Sequence, residues 1–144
     1  MNKTISFEEK IVLLVEDELF LVEKISDQLA ALGVRHILTA TNLSDAEELV
    51  AAHVIDVALL DVNLARGDTT KDLGAGLASR SVAVVFFSGI SAADSVSLST
   101  RHEFIEKPLS VSRLKTAIQR ALLRVSTSPA ACAERKMAGP EARQ

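Results

Sequence analysis

The chain has a single cysteine, Cys132, so no internal disulfide can form and small disulfide-stapled architectures are excluded. With no partner thiol, Cys132 reads as an incidental residue of a polar tail in a reducing compartment. Long apolar runs are also missing. Ile11 to Val15 is too short for a signal core and ends in Glu16-Asp17-Glu18, so neither export nor a membrane span is expected, and the protein is expected to be cytoplasmic. There is no excess of basic charge: 16 Lys and Arg stand against 19 Asp and Glu, a net charge of -3. That balance gives no electrostatic footprint for nucleic acid. His36, His53 and His102 lie scattered, without ligand spacing and without a serine or cysteine nucleophile beside them, which argues against histidine metal sites and catalytic triads. Internal repeats are absent.

The 144 residues are 48% hydrophobic and 24% charged, the composition of one soluble globular domain. Apolar runs of strand length alternate with stretches of helical period, which is the pattern of a parallel sheet covered by helices on both faces. The expected fold is α/β, doubly wound, with five parallel strands in the flavodoxin-like order 2-1-3-4-5.

Ile11 to Val15 reads as a first, fully buried strand. Val22, Ile25, Leu29 and Leu32 then form one helical stripe, stopped by Gly33. Ile37 to Ala40 is a weaker second strand. Ser44, three residues before Glu47, predicts a capping box that starts the second helix. Val57 to Leu60 runs into Asp61, and Val82 to Phe87 runs into Ser88 and Gly89. Between those strands a short helix over Asp72 to Arg80 is weakened by Gly74 and Gly76, each costing about 1 kcal/mol relative to alanine. Glu103 to Ile105 forms the fifth strand. A final helix places Val111, Leu114, Ile118, Leu122 and Val125 on one face. The domain is expected over 8–125. From Ser126 no apolar period remains, so 126–144 is expected to be a disordered tail with no effector domain.

In such a sheet, ligands collect beyond the C-terminal strand ends. Glu16 and Asp17, Asp61, Ser88 and Lys107 all fall on that rim. Converging carboxylates repel one another unless a cation lies among them, and all-oxygen donors favour a hard ion such as Mg²⁺. Asp17 and Asp61 are the expected direct ligands. A carboxylate can also act as a nucleophile and form an acyl phosphate if its charge is neutralised, by the metal on one side and Lys107 on the other. The Ser88 hydroxyl can donate to a phosphoryl oxygen, with Gly89 leaving room for the group.

These residues resemble the response-regulator receiver family, of the chemotaxis-regulator-like, stand-alone kind, from about Lys10 to Val125. The resemblance implies that Asp61 is the phosphoacceptor, with Mg²⁺ bound by the side chains of Asp17 and Asp61, by the backbone carbonyl of Asn63, and by Glu16 through water. Ser88 and Lys107 would contact the phosphoryl group, Ser88 and Phe104 would form the switch, and Lys107-Pro108 would be cis. It further implies a histidine kinase or histidine phosphotransfer protein as phosphodonor. The domain would have weak self-phosphorylation and autodephosphorylation activity and would not be an enzyme in the ordinary sense. Phe104 lacks a hydroxyl, so any inward rotation would be driven by packing alone.

Two features depart from the commoner pattern. Between Ser88 and Lys107, Val96 and Leu98 supply almost no helical stripe, so a fourth helix near Ser91 to Asp94 is expected to be short or irregular. Phe86-Phe87-Ser88-Gly89 partly resembles a subgroup of stand-alone receivers with Phe-Ala-Thr-Gly-aromatic at this place. Taken singly, Glu16-Asp17-Glu18 would read as a solvated helix start and Lys107 as an exposed turn lysine. Their joint placement reverses that. A phosphatase of the haloacid-dehalogenase type would carry its nucleophile after the first strand, two residues before a second aspartate, which this order does not match. A phosphorylation-independent protein-binding module is the alternative.

Overall fold

The structure is a computed structural model that describes residues 6–89 and 102–127. Its strands are Ile11–Val15 (β1), His36–Ala40 (β2), Val57–Asp61 (β3), Ala83–Ser88 (β4) and Glu103–Glu106 (β5), and its helices are Leu19–Ala31 (α1), Leu43–Ala52 (α2), Lys71–Ser79 (α3) and Val111–Thr127 (α4). All the strands are parallel, in one five-stranded sheet of order β2-β1-β3-β4-β5. The doubly wound class expected from the alternation of runs is the one found. The irregular helix expected near Ser91 lies outside the described residues; of the tail expected over 126–144, residues 126 and 127 lie in the last turn of α4 and the rest lie outside the described residues. Among the described residues no helix is long and apolar enough to cross a membrane.

The central strands are apolar throughout because both of their faces are covered. Every residue of β3 and β4 is buried. Val12, Leu14, Val57, Leu59, Val85 and Phe87 pack under α1 and α4 against Ile25, Leu29, Leu114 and Ile118. Leu13, Val15, Ala58, Leu60, Val84 and Phe86 face the other way, onto Ala46 of α2 and Leu77 of α3. Phe7, which precedes the boundary drawn at residue 8, is buried in the first of these clusters.

The helix ends are set by local chemistry. Gly33 at φ 99 takes the left-handed position that closes α1, and the Val34 amide donates back to the Leu29 carbonyl at 3.0 Å. The capping box expected at Ser44 and Glu47 is not what starts α2. Asn42 is the N-cap: its Oδ1 accepts from the Asp45 amide at 2.7 Å, and its Nδ2 donates to the Asp45 carboxylate at 3.0 Å. Asn42, two residues earlier, already satisfies the Asp45 amide, so Ser44 lies inside the helix. Gly74 has a packing reason. A Cβ there would collide with the Phe86 ring, standing 2.8 Å from Cε1, whereas a Cβ on Gly76 would meet nothing within 4 Å.

Candidate functional site

The C-terminal rim of the sheet collects the polar residues one strand end at a time. Glu16 follows β1 and is 1% exposed; its amide donates to the Ala40 carbonyl at 3.0 Å, and its Oε2 accepts from the Glu18 amide at 3.1 Å. Asp17 turns outward, and its Oδ2 accepts from the Ala65 amide at 2.9 Å, which ties the turn after β1 to the loop after β3. Asp61 ends β3 and Ser88 ends β4, and both are buried. Lys107 follows β5, where its amide donates to the Ser88 carbonyl at 2.8 Å and its bond to Pro108 is cis, as the resemblance implied. A cis bond of this kind is open almost only before proline.

Glu16, Asp17 and Asp61 each offer a carboxylate oxygen, and these lie within 4.8 Å of one another. Lys107 Nζ lies 3.0 Å from Glu16 Oε1 and 3.3 Å from Asp61 Oδ2, and it stands 5.5 Å from the centroid of the Phe87 ring. Burial pushes the Glu16 carboxyl up to about 7, and the Asp61 charge adds to the shift. Burial also raises the Asp61 carboxyl, outweighing the attraction of Lys107. For Lys107, burial opposes the charged form, but the Glu16 and Asp61 carboxylates outweigh it and hold the ammonium above the ordinary lysine value.

The residues present fit a hard divalent cation. Among the described residues one ammonium, that of Lys107, faces the three carboxylates, and it already pairs with both Glu16 Oε1 and Asp61 Oδ2. A cation among the carboxylates would relieve the repulsion that this one ammonium leaves. The donors are all oxygens, which is the preference of Mg²⁺. The cluster can therefore hold a metal ion.

The remaining residues singled out in the sequence lie around this centre. Asn63 is exposed on the loop after β3, and its amide bonds to the Asp61 carboxylate. Phe104 is half-buried on β5, in register with Phe86 of β4, and packs against the cluster under α2 and α3. His102 meets the Phe86 ring edge-on at 5.2 Å, a packing contact, while His36 and His53 are exposed. Sequence reasoning missed Thr70. It is 0% exposed, and its hydroxyl donates to the Asp61 carbonyl at 2.8 Å. No pattern marks it, because its partner is a backbone atom nine residues away.

Known proteins show the same arrangement of strands and helices. No curated protein sequence matches the chain at a significant level. SdrG from Sphingomonas melonis Fr1, solved in solution, is 31% identical with a TM-score of 0.67, and the match covers 79% of this chain and 96% of that one. A response regulator receiver protein from Sinorhizobium medicae WSM419 superposes with a TM-score of 0.69 at 23% identity, over 80% and 96% of the two chains. A receiver domain protein from Clostridium thermocellum gives 0.69 at 21%, over 81% and 97%, which is a likeness of fold. The sequence profile of the response regulator receiver domain matches residues 12–119, and the chain belongs to that family.

Proposed function

We propose that this receiver domain accepts a phosphoryl group on the Asp61 carboxylate and works as a signalling switch or a phosphate sink. The donor is the phosphohistidine of a histidine kinase or a histidine phosphotransfer protein. An Asp61 oxygen attacks phosphorus in line as the N–P bond breaks, and the imidazole leaves with the bonding electron pair. Asp17 and Asp61 would hold Mg²⁺ by their side chains, Asn63 by its backbone carbonyl and Glu16 through water. When bound, the ion supplies positive charge to the phosphoryl oxygens and to the carboxylates around them.

The protein's own residues do the rest. Lys107, already at Asp61 Oδ2, is placed to follow the charge onto a phosphoryl oxygen. The Ser88 hydroxyl donates a second hydrogen bond, and its move toward the phosphate, together with repacking of Phe104, forms the switch. Water later attacks phosphorus and returns Asp61 to the free carboxylate, slowly, so the domain turns over only itself.

One observation carries this reading: the three carboxylates within 4.8 Å, with Lys107 at 3.0 and 3.3 Å from two of them. The test is incubation with a small phosphodonor and Mg²⁺, followed by intact-mass measurement of the wild type and of Asp61→Ala. A phosphate-sized mass increase is expected in the wild type alone. A wild type that gains none favours the phosphorylation-independent binding module instead.

A further inference from the structure

β1 shares its last register pair with β3 at Val15 and Leu60, so beyond that point the ladder offers the Asp61 carbonyl no donor on the β1 side. Thr70 supplies it. Its hydroxyl donates to the Asp61 carbonyl at 2.8 Å, and its amide donates to the Val62 carbonyl at 3.0 Å. Beside it, Thr69 forms an antiparallel bridge with Asn63, and the Leu64 amide donates to the Asp68 carbonyl at 2.8 Å. The chain from Asp61 to Thr70 is thus a closed loop, and Thr70 fastens its two ends.

Thr70 is also the N-cap of α3, yet its side chain caps nothing there. A threonine in that position ordinarily accepts from an amide of the first turn. Here the hydroxyl is turned the other way, into a fully buried contact with the backbone of the acceptor residue. The Thr70 carbonyl in turn accepts from the Gly74 amide at 2.8 Å, so the start of α3 and the backbone of Asp61 are held through one residue.

We propose that Thr70 is a positioning residue for the acceptor site. Its hydroxyl fixes the backbone from which the Asp61 carboxylate projects. Its amide fixes the Val62 carbonyl, one peptide before the Asn63 carbonyl, whose own peptide is held across the Asn63–Thr69 bridge by the Leu64 amide at the Asp68 carbonyl. The inference rests on the reading of Asp61 as phosphoacceptor. It matters because in-line transfer is sensitive to displacements of about 1 Å, which can cost roughly a hundredfold in rate.

The test compares wild type, Thr70→Val, which keeps the shape and removes the hydroxyl, and Thr70→Ser, which keeps the hydroxyl. Folding is checked by circular dichroism, Mg²⁺ affinity by titration calorimetry, and labelling rate by intact mass across Mg²⁺ and phosphodonor concentrations. The expected result is a folded valine variant with a saturating rate down about tenfold or more and weaker Mg²⁺ binding, and a serine variant close to wild type. A folded valine variant that keeps wild-type rate and affinity overturns the proposal, even if it melts at lower temperature. So does a serine variant as impaired as the valine one. Should the valine variant not fold, Thr70→Cys, a weaker donor, replaces it; an intermediate loss is expected, and an unchanged rate overturns the proposal. A wild type that takes no label defeats the phosphoacceptor reading itself, and this inference with it. Failure of the inference alone leaves a labelled wild type.

Discussion

Lys107 Nζ lies 3.3 Å from Asp61 Oδ2 although the two residues belong to an outer and a central strand end, and the Lys107 amide bond to the Ser88 carbonyl at 2.8 Å holds the lysine over the intervening strand. The ammonium also serves Glu16, so the pair is one side of a three-body arrangement. Replacing Lys107 by methionine removes the charge and keeps most of the stem. Labelling of Asp61 is expected to fall roughly a hundredfold, the scale of losing one preorganised electrostatic partner. Mg²⁺ binding, read by calorimetry, is expected to tighten, because a competing cation has gone and no ligand has been removed. Unchanged labelling would show that the lysine is not needed for transfer.

The carboxylate cluster sets a dependence of stability on pH. Glu16 titrates at about 7 against an ordinary 4.5, and Asp61 is shifted in the same direction. Between those two values the folded state binds more protons than the unfolded one, so the metal-free protein loses stability as pH rises from 4.5 to 7. A divalent cation prefers deprotonated carboxylates, so added Mg²⁺ is expected to raise the melting temperature more at pH 7.5 than at pH 5. In Glu16→Gln the metal-free decline is expected to flatten. Melting curves at the two pH values, with EDTA and with Mg²⁺, decide it, and an equal Mg²⁺ shift at both would contradict the coupling.

The rim residues were legible in the sequence because each ends a run of buried strand residues, which is a strong local signal: Val57 to Leu60 announces Asp61 as plainly as Ile11 to Val15 announces Glu16. Contacts made through the backbone were not. Thr70 is one more threonine in a polar loop until the Asp61 carbonyl is seen 2.8 Å away. The start of α2 was misplaced for a similar reason, since Ser44 and Glu47 have the right spacing for a box, and only the Asn42–Asp45 pair shows which amides are already taken. Phe7 follows a polar stretch, and nothing in its surroundings signals that it joins the core cluster under α1 and α4.

Gln28 links α1 to the segment after the cis bond: its Nε2 donates to the Leu109 carbonyl at 2.9 Å, while its Oε1 is buried with no hydrogen bond. Gln28→Leu removes the donor and the unmet acceptor together, so a net loss of only about 1 kcal/mol is expected from the Leu109 carbonyl left behind. Gln28→Glu sets a carboxylate against that carbonyl and is expected to cost more at pH 7.5 than at pH 5, where protonation restores a donor. Urea denaturation of both variants at the two pH values provides the check. A glutamate variant as stable at the higher pH as at the lower would contradict the geometry.

The two glycines of α3 look alike in sequence and are expected to respond oppositely to alanine. At Gly76 an added Cβ meets nothing within 4 Å, so Gly76→Ala should gain most of the helix-propensity difference, about 1 kcal/mol, and raise the melting temperature by a few degrees. At Gly74 the same methyl group collides with the Phe86 ring, which is fully buried. Overpacking of this kind costs about 1–3 kcal/mol, enough to cancel or exceed the propensity gain, so Gly74→Ala should be neutral or destabilising. Relief should come from shrinking the ring. In Gly74→Ala combined with Phe86→Leu the two changes are expected to be less harmful than the sum of the singles, because they share one contact. Strict additivity in the double-mutant cycle would mean that the helix and β4 are further apart than the collision implies.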